Sequence, residues 1–366
     1  MRGLGNRMDR PLLIIIGLLV LIGFFLFTSA SLGLLAQEGA RFSSVAFNQL
    51  FLGVGLGTIS MFLMSRVHYR FLKRYALHIY IASLILTILV FVPMIGFSAG
   101  GATRWLLLGP ISLQPAEILK IGTIVYLATY LASARAHLHK YQTGLLAFIF
   151  ILVPPTVVLL LQPDTSTILV ITGTALGMFF AAGARWRDIG ILVLIGAIAL
   201  SGLVAMRPYV LDRITTFINP STDRLGSGYQ IQQSLIAVGS GKVVGRGFGQ
   251  SVQKFGYLPE PTGDSVFAVA AEEFGFIGAV LIIFLFIALI TRALLISTRA
   301  PDYFGGLVVA GIILLIATQA LINMASMLGV MPLTGLPLPF ISHGGTALFV
   351  MLSGMGIVLN VSKYAK

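Results

Sequence analysis

Charge is what this chain lacks. Of 366 residues, 10% are Asp, Glu, Lys or Arg, while 57% are hydrophobic. A water-facing globular surface carries about 25% charged residues, so a soluble fold is excluded. Cysteine is absent, which excludes disulfides and thiolate metal sites. The five histidines offer no metal pair: His137 and His139 lie two apart beside Lys140, whereas helical zinc pairs sit at i, i+4. No polar stretch is long enough for a separate soluble domain and no segment is of low complexity. Residues 1–366 therefore read as one integral membrane domain.

Apolar runs are what the chain has in plenty. Roughly 20 apolar residues cross a bilayer core as a helix. Runs of that length predict ten spans, at about 11–36, 45–65, 76–97, 112–134, 143–161, 165–184, 188–206, 265–291, 304–329 and 342–362, with ends uncertain by about 2–4 residues. The expected fold is an all-α polytopic membrane protein with ten transmembrane helices. The first run is too long for a cleaved signal peptide and no small-residue cleavage site follows cleanly.

Lys and Arg in the short loops set orientation. With the N-terminus inside, 15 of the 24 fall on the inner side: Arg2, Arg7, Arg10, Arg66, Arg70, Lys73, Arg74, Arg135, Lys140, Arg185, Arg187, Arg292, Arg299, Lys363 and Lys366. The short outer loops hold only Arg41 and Arg104. Both termini are expected in the cytoplasm. This bias accounts for the net charge of +12 without nucleic acid as a partner.

One outer loop, about 207–264, is too long and patterned to be a plain linker. Within it, "PYVLDRITTFIN" spaces Val210, Ile214, Phe217 and Ile218 along one face of an interfacial amphipathic helix. A second short helix is expected at about 228–239, followed by glycines that permit close backbone approach. "LQPAE" (113–117) and "LQPDT" (161–165) echo each other, and Pro at a helix's first turn explains such an echo as well as a repeat would.

Acid is scarcer than base. The chain has 12 Asp+Glu, and four of them, Glu260, Asp264, Glu272 and Glu273, fall in "GYLPEPTGDSVFAVAAEEFGF" (256–276), just before a run fit for lipid. An ion in hydrocarbon costs at least ~2.5–3.5 kcal/mol on insertion scales, so charges kept there are paired or line a wet cavity. Glu117 and Lys120 lie i, i+3 on one helix. They read either as a structural ion pair or as the charged wall of a polar cavity with Arg104 at its rim. Asp164 reads either as an N-cap or as part of that cavity. Glu260 stands between Pro259 and Pro261, a rigid turn at the membrane surface. Asp264 reads as an N-cap or as a functional acid. A cap alone leaves Glu272 and Glu273, two turns further in, without a reason.

These residues resemble the signature of the SEDS proteins, the FtsW/RodA peptidoglycan glycosyltransferases. The resemblance is carried by that stretch together with "RWLLLGPISLQPAEILK", "LQPDTST", "RITTFINP", "GSGYQIQQSLIAVGSGKVVGRGFGQSVQKF" and "GLPLPFISHGGTAL". The motifs come in the family's order over roughly residues 28 to 360, each moderately specific and together very specific. "TSAS" (28–31) leans toward the division-type branch. The resemblance implies ten membrane helices, lipid II polymerised into glycan strands at the outer face of a bacterial plasma membrane, a class B penicillin-binding protein (a transpeptidase) as partner, and a divalent cation (Mg or Mn) with no organic cofactor. The family's essential aspartate falls without gaps on Asp264. This chain has Thr262-Gly263 where the family has His-Thr, Ser265 for a usual aromatic, and His343 where Tyr is usual.

Joining a sugar hydroxyl to an anomeric carbon needs a base for the hydroxyl proton, and a positioned carboxylate contributes ~10²–10⁴-fold. Asp264 is the candidate base. The diphosphate leaving group needs cations, for which Arg104, Lys120, Arg213 and Lys242 are the outer-facing candidates. Glu117, Asp164, Glu260, Glu272 and His343 complete the expected cavity. Two rival readings stand beside the enzyme: a lipid II flippase, suggested by Glu117, Lys120 and Asp164 within the membrane, and a non-catalytic scaffold for the transpeptidase. Membrane lipids cover the rest in each case.

Overall fold

The computed structural model describes residues 8–37, 39–99, 102–109, 111–220 and 226–365. Arg2, Arg7 and Lys366, counted above on the inner side, lie outside them. The chain runs through α1 (Arg10–Gln37), α2 (Gly39–Phe47), a π-helical stretch (Asn48–Leu56), α3 (Gly57–Arg66), α4 (Tyr69–Arg74) and α5 (Ala76–Ile88). A small sheet follows, β1 (Gly96–Ala99), β2 (Ala102–Leu108) and β3 (Ile111–Leu113). Then come α6 (Pro115–Ser133), α7 (Ala147–Leu161), α8 (Thr165–Ala181), α9 (Trp186–Met206), α10 (Pro208–Ile218), α11 (Ser227–Ser240), α12 (Val266–Thr298), α13 (Tyr303–Met327) and α14 (Gly345–Ser362).

Among the described residues eight helical segments are long and apolar enough to cross a membrane, and two shorter apolar ones, Ala76–Phe91 and Thr165–Ala181, stand where two further spans are expected. The helical body matches the expected class. The sheet does not: β1, β2 and β3 pair antiparallel in that order, so the third span ends at Phe91 and α6 starts only at Pro115. The reason is local. Gly109, at φ 65°, stands between β2 and β3, and the antiparallel pairing of the three strands satisfies backbone groups that a broken helix would leave open.

Lipid tails are as apolar as Leu, so helices in a membrane associate through close packing and polar contacts rather than through hydrophobic burial. The centre of the bundle is α13 and α14, whose apolar windows are 72% and 78% buried, while α9 stands at the edge with none of its window buried. Polar contacts join the helices: Ser60 and Ser353 Oγ atoms meet at 2.7 Å between α3 and α14, and Asn360 donates to Ser65 O and accepts from Tyr69 N. One end of the bundle is tied by charge. Arg292 grips both Asp9 oxygens, Asp9 N donates to Ser362 Oγ, and Lys363 Nζ donates to Ser65 O. Asp264 lies at the opposite end of α12.

The element that positions the site is α12, which is two helices in one. At Gly275 the backbone turns to φ 65° and ψ −163°, a conformation open only to glycine. The break would orphan the last carbonyls of the first half and the first amides of the second. The glycine-rich loop after α11 supplies partners for both. Arg246 N and Gly247 N donate to Glu272 O and Glu273 O at 3.0 and 2.9 Å, while Phe276 N and Ile277 N donate to Lys242 O and Val243 O at 2.9 and 3.2 Å. Gly245, at φ 86°, lies so close to the Glu273 main chain that no Cβ fits. Irregular backbone is tolerated at a membrane only when protein satisfies it, and here the loop does so.

Candidate active site

Asp264 sits in the turn before α12. Ser265 is the N-cap position, and its side chain makes no capping bond. Asp264 is therefore not held as a cap. Its carboxylate accepts from Gln230 Nε2 on α11, with both oxygens at 3.2 Å. Its main-chain carbonyl accepts from Asn323 Nδ2 on α13 at 2.8 Å, and the same amide also donates to Leu336 O at 2.7 Å. Part of the residue remains accessible, so the carboxylate is densely surrounded without being sealed. Burial pushes this carboxyl up to about 6; Gln230 opposes the rise, Glu260 adds to it and Ser265 opposes it. Glu260 holds the turn through its carbonyl, which accepts from Gly263 N at 2.9 Å, and its own φ is 45°.

A second group forms around the turn between α7 and α8. Asp164 caps α8, accepting from Thr167 N at 3.2 Å and from Thr167 Oγ1 at 2.8 Å. Arg104, on β2, donates to Gln162 O at 3.2 Å and to Pro163 O. Arg213, on α10, lies 3.4 Å from Ser166 Oγ. Burial and Arg104 push the Arg213 guanidinium down, while Asp164 and Asp264 act against them. Two guanidiniums and two carboxylates thus share one electrostatic neighbourhood at the end of the bundle where Asp264 lies. The segment between α13 and α14 closes it: Thr334 O accepts from Ser166 Oγ at 2.6 Å, and His343 N donates to Thr262 O at 2.7 Å.

Glu117 and Lys120 form a buried pair, with Nζ to Oε1 at 2.8 Å. Lys120 also donates to Gln319 Oε1 at 2.8 Å, and Gln319 Nε2 donates to Pro337 O at 2.9 Å. The pair therefore supports the same closing segment from below. The cavity beside Lys120, lined by Thr123 and Thr174 among others, has about 10 Å³ of water-accessible space, enough for one water and not for a sugar.

Two expected cavity residues stand elsewhere, while a third, His343, stays beside the Asp264 turn through its backbone bond to Thr262. Lys242 is exposed and bound through its carbonyl to Phe276, roughly 15 Å of helical rise from Asp264. Glu272 faces a nest, where Ser251 Oγ, Val252 N and Gln253 N donate to it at 2.5, 3.2 and 3.3 Å and Arg246 lies 3.5 Å away. A side chain eight positions beyond Asp264 shares its helical face, but the loop occupies that face first. The His343 ring stacks on Phe27 at 5.9 Å. Glu273 pairs with Lys254 Nζ at 2.8 Å, with both side chains fully buried, and Ser29 Oγ joins them at 2.5 Å. The cations facing the two glutamates are Arg246 and Lys254, neither of them among the expected Arg104, Lys120, Arg213 and Lys242. Sequence reasoning missed Gln230, Lys254, Gln319 and Asn323. The two α13 amides gave a signal, since Gln and Asn four apart in an apolar span must find partners.

The FtsW/RodA/SpoVE cell cycle protein model matches residues 9–366. The chain belongs to this family. It is 40% identical over 360 residues to the stage V sporulation protein E of Bacillus subtilis (strain 168), covering 98% of each chain. It is 38% identical over 348 residues to the probable peptidoglycan glycosyltransferase FtsW of Coxiella burnetii, covering 94% of this chain and 93% of that one. Its fold resembles a chain of a peptidoglycan synthase complex in which polymerization and crosslinking are coordinated, with TM-score 0.80, 29% identity and 98% and 99% of the two chains covered. It also resembles the rod shape determining protein RodA of Thermus thermophilus, with TM-score 0.70, 28% identity and 97% and 96% covered.

Proposed function

We propose that this chain is a peptidoglycan glycosyltransferase that polymerises lipid II at the outer face of the bacterial plasma membrane, with Asp264 as general base. The observation that carries the reading is the Asp264 carboxylate itself: oriented by a neutral amide, partly accessible, raised toward neutrality, and close enough to Arg213 to feel its charge. Asp264 accepts the proton of the acceptor's C4 hydroxyl as that oxygen attacks the donor's anomeric carbon. The bond to the lipid diphosphate breaks in the same step. Among the described residues, Arg213 and Arg104 share the electrostatic neighbourhood of Asp264 and are the cations suited to receive the departing negative charge.

The family resemblance implies a divalent cation. Among the described residues no three His, Asp or Glu side chains gather as a metal site. Asp264 and Glu260, in electrostatic contact on one turn, are the two carboxylates suited to it, because Mg binds through one or two carboxylates plus substrate phosphates. Bound there, the ion would supply charge neutralisation at the diphosphate.

The charge-bearing ends of α1, α3, α12 and α14 gather opposite Asp264, which supports cytoplasmic termini. A partner transpeptidase of the class B penicillin-binding type is supported by the likeness to a chain of a peptidoglycan synthase complex.

The test is labelled lipid II mixed in detergent with the purified protein and its partner. Polymer formed without a bilayer cannot come from flipping, and polymer lost in Asp264→Asn cannot come from a scaffold's partner. Asp264→Asn and Asp264→Ala should abolish polymerisation while expression and partner binding persist. An active Asn variant removes the base assignment. A raised pKa keeps the proton on to higher pH, so wild-type activity should be flat above about 6 and fall about tenfold per pH unit below it.

A further inference from the structure

The end of α12 away from Asp264 carries a basic cavity that the proposed reaction does not use. It lies between the foot of α1, the last turns of α12 and the end of α14. Asp9, Arg292, Leu295, Arg299 and Ser362 are in its lining, and it has about 110 Å³ of water-accessible space. One water needs about 10–15 Å³ on that measure, so the cavity has room for a phosphate group. Arg292 and Arg299 lie seven positions apart on one side of α12, about 10 Å along its axis. Arg292 gives Nε and Nη2 to Asp9, which fixes its guanidinium plane and leaves the two Nη1 protons for another acceptor. Arg299 is exposed, and among the described residues its guanidinium joins no ion pair or hydrogen bond. Two guanidiniums against one carboxylate give the lining a net charge of +1, which matches the single negative charge of a phosphodiester.

Apolar rows adjoin the cavity. α1 packs along α12, and each helix exposes apolar side chains that run from the cavity toward the other end of the bundle: Ile14, Leu18 and Leu21 on α1, and Leu295, Ile287 and Phe284 on α12. A soluble anion has no use for such rows, whereas acyl chains do. The inner-side bias of arginine accounts for basic residues at this end. It calls for no cavity, and it does not explain one guanidinium clamped by Asp9 while its neighbour two turns on stays unengaged. Basic pockets between membrane helices on the cytoplasmic side bind anionic headgroups. We propose that this cavity binds the phosphate of an anionic phospholipid, with Arg299 and Nη1 of Arg292 as donors and the acyl chains laid along α1 and α12. The site is independent of the chemistry at Asp264.

The test titrates the purified full chain, in micelles of a neutral detergent, with phosphatidylglycerol or with phosphatidylcholine of the same acyl chains, and counts bound lipid by native mass spectrometry. Wild type should hold one phosphatidylglycerol more tightly than phosphatidylcholine. Arg299→Gln should weaken that binding roughly fivefold, the effect of one basic side chain at a lipid phosphate, and Arg299→Glu should abolish the preference. Arg299 is exposed and engaged by nothing, so both variants should denature within a few degrees of wild type. Arg66→Gln removes the same charge from an exposed position at the same end, outside the cavity, and should leave the binding unchanged within about twofold. No preference for phosphatidylglycerol in wild type overturns the proposal, as does an Arg66→Gln effect equal to that of Arg299→Gln, which would make the preference one of general surface charge. Soluble glycerol phosphate separates the two sources of a phosphate. It should fail to displace phosphatidylglycerol at equal concentration, and equal displacement would make the site one for a small anion and remove the lipid.

Discussion

Glu117 and Lys120 stand one turn apart on α6, while Glu273 and Lys254 come from the end of a broken helix and from the loop that threads it. In other respects the pairs match. Both bonds are 2.8 Å with side chains no more than 3% exposed. Each lysine has a second acceptor, Gln319 Oε1 at 2.8 Å or Ser29 Oγ at 2.7 Å. Each glutamate has one buried oxygen without a hydrogen-bond partner among the described residues. What differs is what the pair joins. Glu117–Lys120 joins a helix to itself and touches α13 through Gln319. Glu273–Lys254 joins three elements distant in sequence: α1, the loop and the short first half of α12. Equal chemistry therefore has unequal mechanical consequence. Loss of the first pair removes a contact within one helix, whereas loss of the second removes a tie between α1, the loop and the helix that carries Asp264, leaving the loop to its backbone bonds and to the Glu272 carboxylate.

Breaking the second pair should have the larger effect. Lys254→Met leaves Glu273 buried and charged with only Ser29 and the Ser251 amide as donors, and an unpaired buried charge costs about 3–5 kcal/mol. The expected outcome is a detergent-solubilised protein that denatures at clearly lower temperature and loses polymerisation. Adding Glu273→Gln should recover most of the stability, since the uncompensated charge is gone. If Lys254→Met is as stable as wild type, the loop is held without the pair, by its backbone bonds to Glu272, Glu273, Phe276 and Ile277 and by the donors it gives the Glu272 carboxylate.

Lys120→Met is the matched experiment on the first pair. The stranded Glu117 charge should cost about 3 kcal/mol, the low end of the same range, because no loop is released with it. The double change Glu117→Leu with Lys120→Met should restore folding while leaving Gln319 Oε1 without its donor, at about 1–3 kcal/mol. Activity restored in the double variant makes the pair structural. Activity still lost in a stable double variant makes it part of the charged wall. Full activity and stability in Glu117→Ala alone would contradict both.

The same contrast explains what could be read from the sequence. Glu117 and Lys120 were legible as partners because three residues on a helix is a distance known without a structure. The apolar spans were legible because a bilayer imposes a length. Asp264 stood out through the scarcity of acid around it. By contrast, nothing local ties Lys254 to Glu273 or Gln230 to Asp264, which lie 19 and 34 positions apart and meet only once α11, the loop and α12 have packed. Gly275 sits inside an apolar run that scores as one helix, so the break, and with it the reason Glu272 and Glu273 are tolerated there, appears only when the loop's amides are seen on their carbonyls. The sheet at 96–113 was hidden in the same way, its apolar residues being counted toward the neighbouring spans.

Asp164 offers the smallest and cleanest extension of the comparison, since it is a buried carboxylate whose partners are local and neutral. It accepts from Thr167 N and Oγ1, and no ion pair joins it among the described residues, although its charge acts on Arg213. Asp164→Ala removes the cap and should cost about 1 kcal/mol. Asp164→Asn keeps an acceptor for the Thr167 amide and discards the charge. If capping is the role, Asn should return the stability lost in Ala to within a few tenths of a kcal/mol and polymerise like wild type. If Asp164 instead balances Arg213 and Arg104 at the reacting diphosphate, Asn should be as stable as wild type and slower at every pH. Thermal denaturation and polymerisation rate, measured on the same two preparations, separate these outcomes, because a cap acts on the first and a counter-charge on the second.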